Sequence, residues 1–542
     1  MSAFEGFFKE ITAGREPYEH QKEMEAKLWN EGNGPGNQPI LLKAPTGSGK
    51  TEAVLMPFLY QWREDRWPIA PRLIYVLPMR ALANQIHKRI KDYAAKVNEK
   101  INVSIQHGER HEDAMLFSDI VVTTLDQLIY AYARSTTIGK HAEVPAGDLA
   151  NSLVVFDEAH MYSPYTYGMI HAFLEILRAS GVPFVFMTAT LPDSLKNDFQ
   201  EGVLGLGFEF CAPDVQPPAI NRKITLKTES EPLLSEDKLH PRALDLIASQ
   251  KTALVVLNQV ARAQEAYRQI RAKLGQDRVV LIHGRFTRED RARLEKKVGE
   301  MLGMGGSGGV VVATQVVEVG LDISAEVLLT ELAPADSIVQ RAGRVARWGG
   351  EGEVHVFGVK SEMAEEDYWK SDEVEKDALP YDKEHIKATV EALQKEPPDL
   401  ASWADVQRFT DKLHYRVDHS ACASAAWHLI EDSILLSTER PRPQDVAVRE
   451  GKNITLVPVA EGEEAEPDFK EKAVSVSFNL AYFHFKDEKG KLKNVMERKE
   501  SGRGKEKKEV WKPRPAQSSD FKPFDLVYIP DDLYSKEEGL LL

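Results

Sequence analysis

The chain has 542 residues, with 69 Lys and Arg against 84 Asp and Glu, a net charge of −15, and two cysteines. At about 150 residues per domain this length implies three or four domains, each able to bury its own core, which excludes a small peptide-binding module. The acidic balance excludes a surface that is basic all over, so nucleic acid would have to be held in a localised groove.

Cys211 and Cys422 cannot build a disulfide framework and lack the spacing of a zinc knuckle, so a reducing compartment is expected, with both thiols as small buried side chains. No run approaches the roughly 20 apolar residues of a membrane span. The N-terminus "MSAFEGFFKEITAGREPYEHQ" carries charges where a signal peptide has its apolar core. A cytoplasmic protein with no membrane partner is expected.

From Pro39 to about Phe210, short apolar runs ("RLIYVLP", "DIVVTT", "SLVVFDEAH", "PFVFMTAT") alternate with helical stretches, the pattern of a parallel sheet wrapped by crossover helices. Ligands in such sheets sit beyond the carboxyl ends of the strands, where these runs turn polar. The first such element, "LLKAPTGSGKTEAVLMP" at residues 41–57, is a strand that breaks into a Gly- and Ser-bearing turn and closes on Lys-Thr. Backbone N–H groups along Thr46, Gly47, Ser48 and Gly49, with the start of the next helix, would cradle the phosphates of ATP. Lys50 would reach the β- and γ-phosphates and Thr51 would hold Mg²⁺, although Ala44 stands where the phosphate-loop pattern has its first Gly. The bland alternative is a solvated turn before a helix.

"VVFDEAH" supplies the second acidic strand end that such a site needs: Asp157 to hold Mg²⁺ and Glu158 to orient the attacking water, with His160 closing the motif among the catalytic residues. A pair of acids capping a helix is the alternative. After the Pro-rich "CAPDVQPPAI" the alternation restarts with "TALVVLN", "VVLIHG", "GVVVATQ", "VLLTEL" and "EVHVFG", a second α/β lobe. Beyond about Ser361 follow an acidic stretch, a helix around Tyr381 to Leu393 and a tail of mixed charge. The expected domains are 1–213, 214–362 and 363–542: two tandem parallel-sheet domains and a smaller C-terminal domain joined by a helical linker.

With these motifs the sequence resembles a superfamily 2 helicase of the DEAH type, across both lobes, and the resemblance implies that the two parallel-sheet domains are RecA-like. The resemblance implies that Gln21 in "GREPYEHQ" reads adenine, that Arg80 in "LPMRALANQ" and Thr124 in "VVTTLDQL" meet strand phosphates, and that Thr188 and Thr190 of "TAT" couple hydrolysis to motion. It implies the same coupling for Thr314 in "ATQVVEVGLDI", places Asp322 near the ribose and Gln340 on the γ-phosphate side, and makes Arg344 and Arg347 of "QRAGRVAR" the arginine fingers. A solvated arginine cluster is the alternative for that last motif. Fingers delivered by a second lobe are worth about 10³-fold or more in rate, so lobe closure and hydrolysis would form a ratchet.

Within the superfamily, "TELAPADSIVQRAGRVARWG" and "VVFDEAHMY" resemble the helicase of type I CRISPR interference, as do, more weakly, "ALPYDKEHIKATVEAL" and "LVYIPDDLYSKEEGLLL". Many of its members carry an N-terminal histidine–aspartate (HD) nuclease domain, whereas this chain starts near the Gln21 segment and has no His-Asp dipeptide. The resemblance therefore implies a helicase-only form that moves 3′ to 5′ on single-stranded DNA, with a separate HD nuclease subunit and an RNA-guided surveillance complex as partners. Another superfamily 2 DNA or RNA helicase, or a non-translocating ATP-gated scaffold, are the rival readings.

His107, His111 and Glu112 in "QHGERHED" would share a face if helical, but a polar surface or phosphate contact is the reading preferred over a metal site. His414, His419 and His428 lack an acidic or cysteine companion at ligand spacing. Lys505, Lys507, Lys508 and Trp511 mark either a binding arm or, preferred, a solvated hairpin.

Overall fold

The computed structural model describes residues 2–542 except 30–37, 46, 109, 134–143, 216–220, 366, 371–379, 414–451, 466–470, 487–491 and 503–507, and the side chains of 160, 164 and 364. Thr46, Cys422, Lys505, Lys507 and the three histidines from 414 to 428, singled out in the sequence, lie outside these residues, as does the side chain of His160. The chain divides into two compact units, 1–219 with 410–450, and 220–409 with 451–542.

The first unit is built on a sheet of β1 (Ile40–Lys43), β2 (Arg72–Leu77), β3 (Val103–His107), β4 (Arg110–His111), β5 (Ile120–Thr124), β6 (Ser152–Phe156) and β7 (Phe184–Thr188). The order is β1-β7-β6-β2-β5-β3-β4, parallel except for the β3–β4 hairpin. Leu73 to Leu77 are buried without alternation, as expected where helices cover both faces of a parallel sheet. Helix α1 (Lys50–Glu64) follows β1 directly, and α2 (Arg80–Val97) follows β2. The register sets Lys43 beside Thr188 and Leu77 beside Thr124, which gathers the polar strand ends on one edge.

The second unit repeats the plan with β8 (Arg222–Glu229), β9 (Leu234–Ser235), β10 (Lys238–Leu239), β11 (Thr252–Val256), β12 (Val279–Ile282), β13 (Gly309–Ala313), β14 (Val327–Glu331) and β15 (Gly350–Phe357). Its main sheet runs β12-β13-β11-β14-β15-β8, all parallel. Helix α3 (Ala335–Ala342) follows β14 and carries the start of the arginine motif. A smaller C-terminal part adds a three-stranded sheet and a hairpin over a core that includes Ile454, Leu456, Phe485 and Phe521. The expected α/β class, two parallel-sheet lobes plus a C-terminal part, is what the fold displays.

Two local expectations change. The helical spacing considered for His107 and His111 is instead the β3–β4 hairpin: His107 Nε2 meets Asn84 Oδ1 at 3.2 Å, and Gln106 donates to His111 Nδ1 at 3.1 Å. Cys211 is half-buried rather than in the core, because it bridges to the edge strand residue Ile40 and receives a hydrogen bond from Lys27 at 3.3 Å.

Candidate functional site: the nucleotide pocket of the first lobe and the arginine helix of the second

The turn between β1 and α1 needs left-handed backbone at Gly47 (φ 84°) and Gly49 (φ 78°), which only glycine adopts without strain. A Cβ at Gly49 would also lie 2.4 Å from Gln21 Nε2. Gln21 accepts from the Tyr18 N–H at 2.9 Å and donates to the Gly49 carbonyl at 3.0 Å, while His20 donates from Nε2 to the Ser48 carbonyl at 3.1 Å. The segment expected to read adenine is thereby tied to the phosphate loop. Ala44, at the position of the missing glycine, is fully buried; its N–H donates to Thr188 and its carbonyl accepts from Lys50 Nζ at 3.1 Å.

Asp157 follows β6 and is buried, its N–H bonded to Val76 on neighbouring β2. Its Oδ1 accepts from the Glu158 N–H at 2.8 Å and its Oδ2 from the Tyr75 hydroxyl at 2.6 Å. The same hydroxyl lies 3.4 Å from Thr51 Oγ1. Burial, and then the charge of Glu158, push the Asp157 carboxyl up to about 6, against the pull of Lys50 and of the Tyr75 hydrogen bond. Glu158 takes a left-handed φ of 51°, which carries its backbone away from the strand line. Such stored strain and a displaced carboxyl are commonest at functional sites.

A hydroxyl and a carboxylate are hard oxygen donors, the set Mg²⁺ takes together with substrate phosphates and waters, so the residues present fit that ion. The hydroxyls of Ser48 and Thr190 are buried and have no hydrogen-bond partner among the described residues, as groups meant for a ligand would be. Among the described residues no group of three or more His, Cys, Asp or Glu could hold a metal by itself.

Of the expected strand-contacting residues, Arg80 is exposed at the start of α2 with its guanidinium packed over Gly108, where a Cβ would meet it at 2.5 Å. Thr124 is buried at the end of β5, its hydroxyl without a partner among the described residues. Thr188 donates to the Thr190 carbonyl and accepts from the Thr190 N–H, which locks that turn.

In the second lobe Thr314 is buried at the end of β13, and Gln340 is half-buried in the last turn of α3. Arg344 is buried and donates to the carbonyls of Val317 (2.9 Å) and Glu318 (2.6 Å), and Arg347 pairs with Asp322 at 3.0 Å. Sequence reasoning missed the centre of this motif. Arg341 is fully buried and donates to Glu318 (2.8 Å), Thr330 (2.7 Å), Asn258 (3.2 Å) and Tyr381 (2.7 Å), and Gln315 donates to the same Tyr381 hydroxyl at 3.2 Å. Tyr75 was missed as well; the available signal was a phenol inside the buried apolar run Leu73–Leu77.

A family model for the DEAD/DEAH box helicase matches residues 20–197, and one for the C-terminal part of the CRISPR-associated nuclease/helicase Cas3 matches residues 249–349. The CRISPR-associated helicase Cas3 of Thermoproteus tenax is 33% identical over 449 residues, 77% of this chain and 72% of that protein. The putative CRISPR-associated nuclease/helicase Cas3 of Methanocaldococcus jannaschii is 28% identical, and this chain spans 55% of its length. In fold, the chain matches the crystal structure of T. fusca Cas3 with ATP at a TM-score of 0.68, covering 97% of this chain and 68% of that one at 20% identity. Among the described residues no helix is long and apolar enough to cross a membrane. Being 33% identical to the T. tenax helicase over the 449 residues aligned, which cover 72% of that protein, the chain belongs to the Cas3 family of CRISPR-associated, ATP-hydrolysing superfamily 2 helicases.

Proposed function

We propose that the chain is an ATP-driven translocase on single-stranded DNA, moving 3′ to 5′ in type I CRISPR antiviral interference, with a separate HD nuclease subunit and an RNA-guided surveillance complex as partners. The observation that carries the reading is the convergence of Lys50, Thr51, Asp157 and Glu158 at the carboxyl ends of β1 and β6, beside the buried hydroxyls of Ser48 and Thr190, which have no hydrogen-bond partner among the described residues. Lys50 exchanges the Ala44 carbonyl for phosphate oxygens, the N–H groups of the Gly47–Gly49 turn surround the phosphate chain, and Glu158 orients the attacking water. Mg²⁺ held at Thr51 and Asp157 would neutralise charge on the transferring phosphoryl group. Arg344 and Arg347 leave their present carbonyl and Asp322 partners to meet the γ-phosphate, with Gln340 beside them. Arg80, Thr124, Thr188, Thr190 and Thr314 couple that change to the strand, whose phosphates and bases are gripped without sequence readout.

ATPase assays with and without single-stranded DNA or RNA, followed by displacement from DNA and RNA duplexes of both polarities, test this. DNA-stimulated turnover with 3′-to-5′ displacement is expected. RNA preference would turn the reading to an RNA helicase, and turnover without displacement to an ATP-gated scaffold. A metal-supplemented assay on labelled single-stranded DNA should show no cutting by this chain alone; cutting that tracks with the chain through purification would remove the separate nuclease from the proposal.

A further inference from the structure

We propose that Tyr75 is a positioning residue for the Mg²⁺ of the nucleotide pocket, holding both protein groups that meet the ion. The inference rests on the nucleotide-site reading above. Tyr75 lies in β2 between Ile74 and Val76 and is fully buried. A phenol hydroxyl in so dry a place is costly unless hydrogen-bonded, and the partners found for it here are Asp157 and Thr51. Asp157 takes the single phenol proton at 2.6 Å. The 3.4 Å contact to Thr51 is then left for the Thr51 hydroxyl to donate along, and a hydroxyl whose proton is held away keeps its lone pairs for a cation.

The same bond fixes the carboxylate. With Oδ1 on the Glu158 N–H and Oδ2 on Tyr75, the Asp157 side chain is held at both oxygens, and each oxygen keeps a lone pair for the ion or its waters. The strand pairing makes the arrangement rigid: Tyr75 sits opposite Val155, and Asp157 is bonded through its N–H to Val76. A phenylalanine would fill the same space and pack as well, so packing alone does not account for the hydroxyl.

The test is a Mg²⁺ titration of the full chain preloaded with a fluorescent ATP analogue, next to titration of the analogue itself in EDTA. Tyr75→Phe should weaken the Mg²⁺ response about 10-fold, the usual scale for losing a partner of a metal ligand, with metal-free nucleotide affinity and the thermal unfolding midpoint near wild type. Val121→Ala, a cavity in adjacent β5, serves as a control that lowers stability without moving the Mg²⁺ response. An unchanged Mg²⁺ response in Tyr75→Phe, an equal loss of metal-free binding, or an equal shift in Val121→Ala would overturn the inference. A wild-type chain without Mg²⁺-dependent nucleotide binding would instead overturn the nucleotide-site reading.

Discussion

In the first lobe Asp157 is buried within reach of the Glu158 and Lys50 charges, its carboxyl raised, while the hydroxyls of Ser48 and Thr190 have no partner among the described residues. In the second lobe Arg341 is more deeply buried still, yet Glu318, Thr330, Asn258 and Tyr381 all accept from its guanidinium. Both centres bring charge into a dry interior. The first leaves polar capacity unused, as a ligand site must; the second closes on itself, as a structural knot must. The contrast divides a single motif: in "QRAGRVAR" Arg341 is bonded to side chains from several segments of its lobe, while Arg344 is engaged by the backbone carbonyls of Val317 and Glu318 and Arg347 by an exposed Asp322.

Glu158→Gln is the strongest probe of the open centre. ATP binding should persist while DNA-stimulated hydrolysis falls by about 10²–10⁴-fold, the usual contribution of a group that positions and polarises a nucleophile. Single-turnover hydrolysis with separate binding titrations would show it, and normal turnover would sink the assignment of this lobe as the hydrolytic one. Arg341→Met probes the closed centre. It leaves the Glu318 carboxylate buried without its main partner, so urea unfolding should show a loss of about 3–5 kcal/mol, with much of it recovered in the double variant Arg341→Met, Glu318→Leu. A loss of ATPase at unchanged stability would place Arg341 among the reacting groups and erase the distinction. Lys50→Ala comes next: removing a charge-assisted contact to phosphate should weaken ATP binding by about 2 kcal/mol, read by nucleotide titration, with no effect on folding of the second lobe.

The lobes were legible because parallel strands buried on both faces read as unbroken apolar runs, as in "LIYVL" and "GVVVA". Strand β8 was not, because "RKITLKTE" is an edge strand mostly of charged and hydroxyl side chains in which Ile224 is the buried residue, so no apolar run marks its pairing with β15. The β3–β4 hairpin was mistaken for a possible helix because a separation of four residues fits either period over so short a stretch. At the site, the turn from β1 through Gly47 and Gly49 into α1 was readable from spacing, since strand end, loop and helix start are consecutive in the chain. Tyr75, Glu318 and Tyr381 were not, because their partners lie 82, 23 and 40 residues away and meet them only in the folded chain.

The smallest effect concerns the end of the chain, where the second lobe closes on itself again. His283, after β12, is buried; its Nδ1 accepts from the Arg285 N–H at 3.1 Å and its Nε2 donates to the Glu538 carbonyl at 2.9 Å. Both ring nitrogens are thus satisfied only in the neutral form, and a proton on Nδ1 would face a donor. Gly539 follows with φ 73°, so close that a Cβ would stand 2.6 Å from the Arg285 carbonyl. Burial, with help from Arg285 and Arg291, pushes the imidazole down to about 3, against about 6.5 in an unfolded chain. Between those values the unfolded state binds a proton that the native state refuses. The contribution to stability is therefore fully present above about pH 6.5 and is lost as the pH falls, with a slope of about 1.4 kcal/mol per pH unit. His20 and His87 in the first lobe are also lowered by burial and add slopes of the same sign, so the measure is a difference between proteins. Urea unfolding of the wild type and of His283→Asn, which keeps an acceptor near the Nδ1 position, should diverge at neutral pH and converge on acidification. Parallel curves would mean that His283 is charged or exposed in solution, and that the C-terminal residues do not close over it.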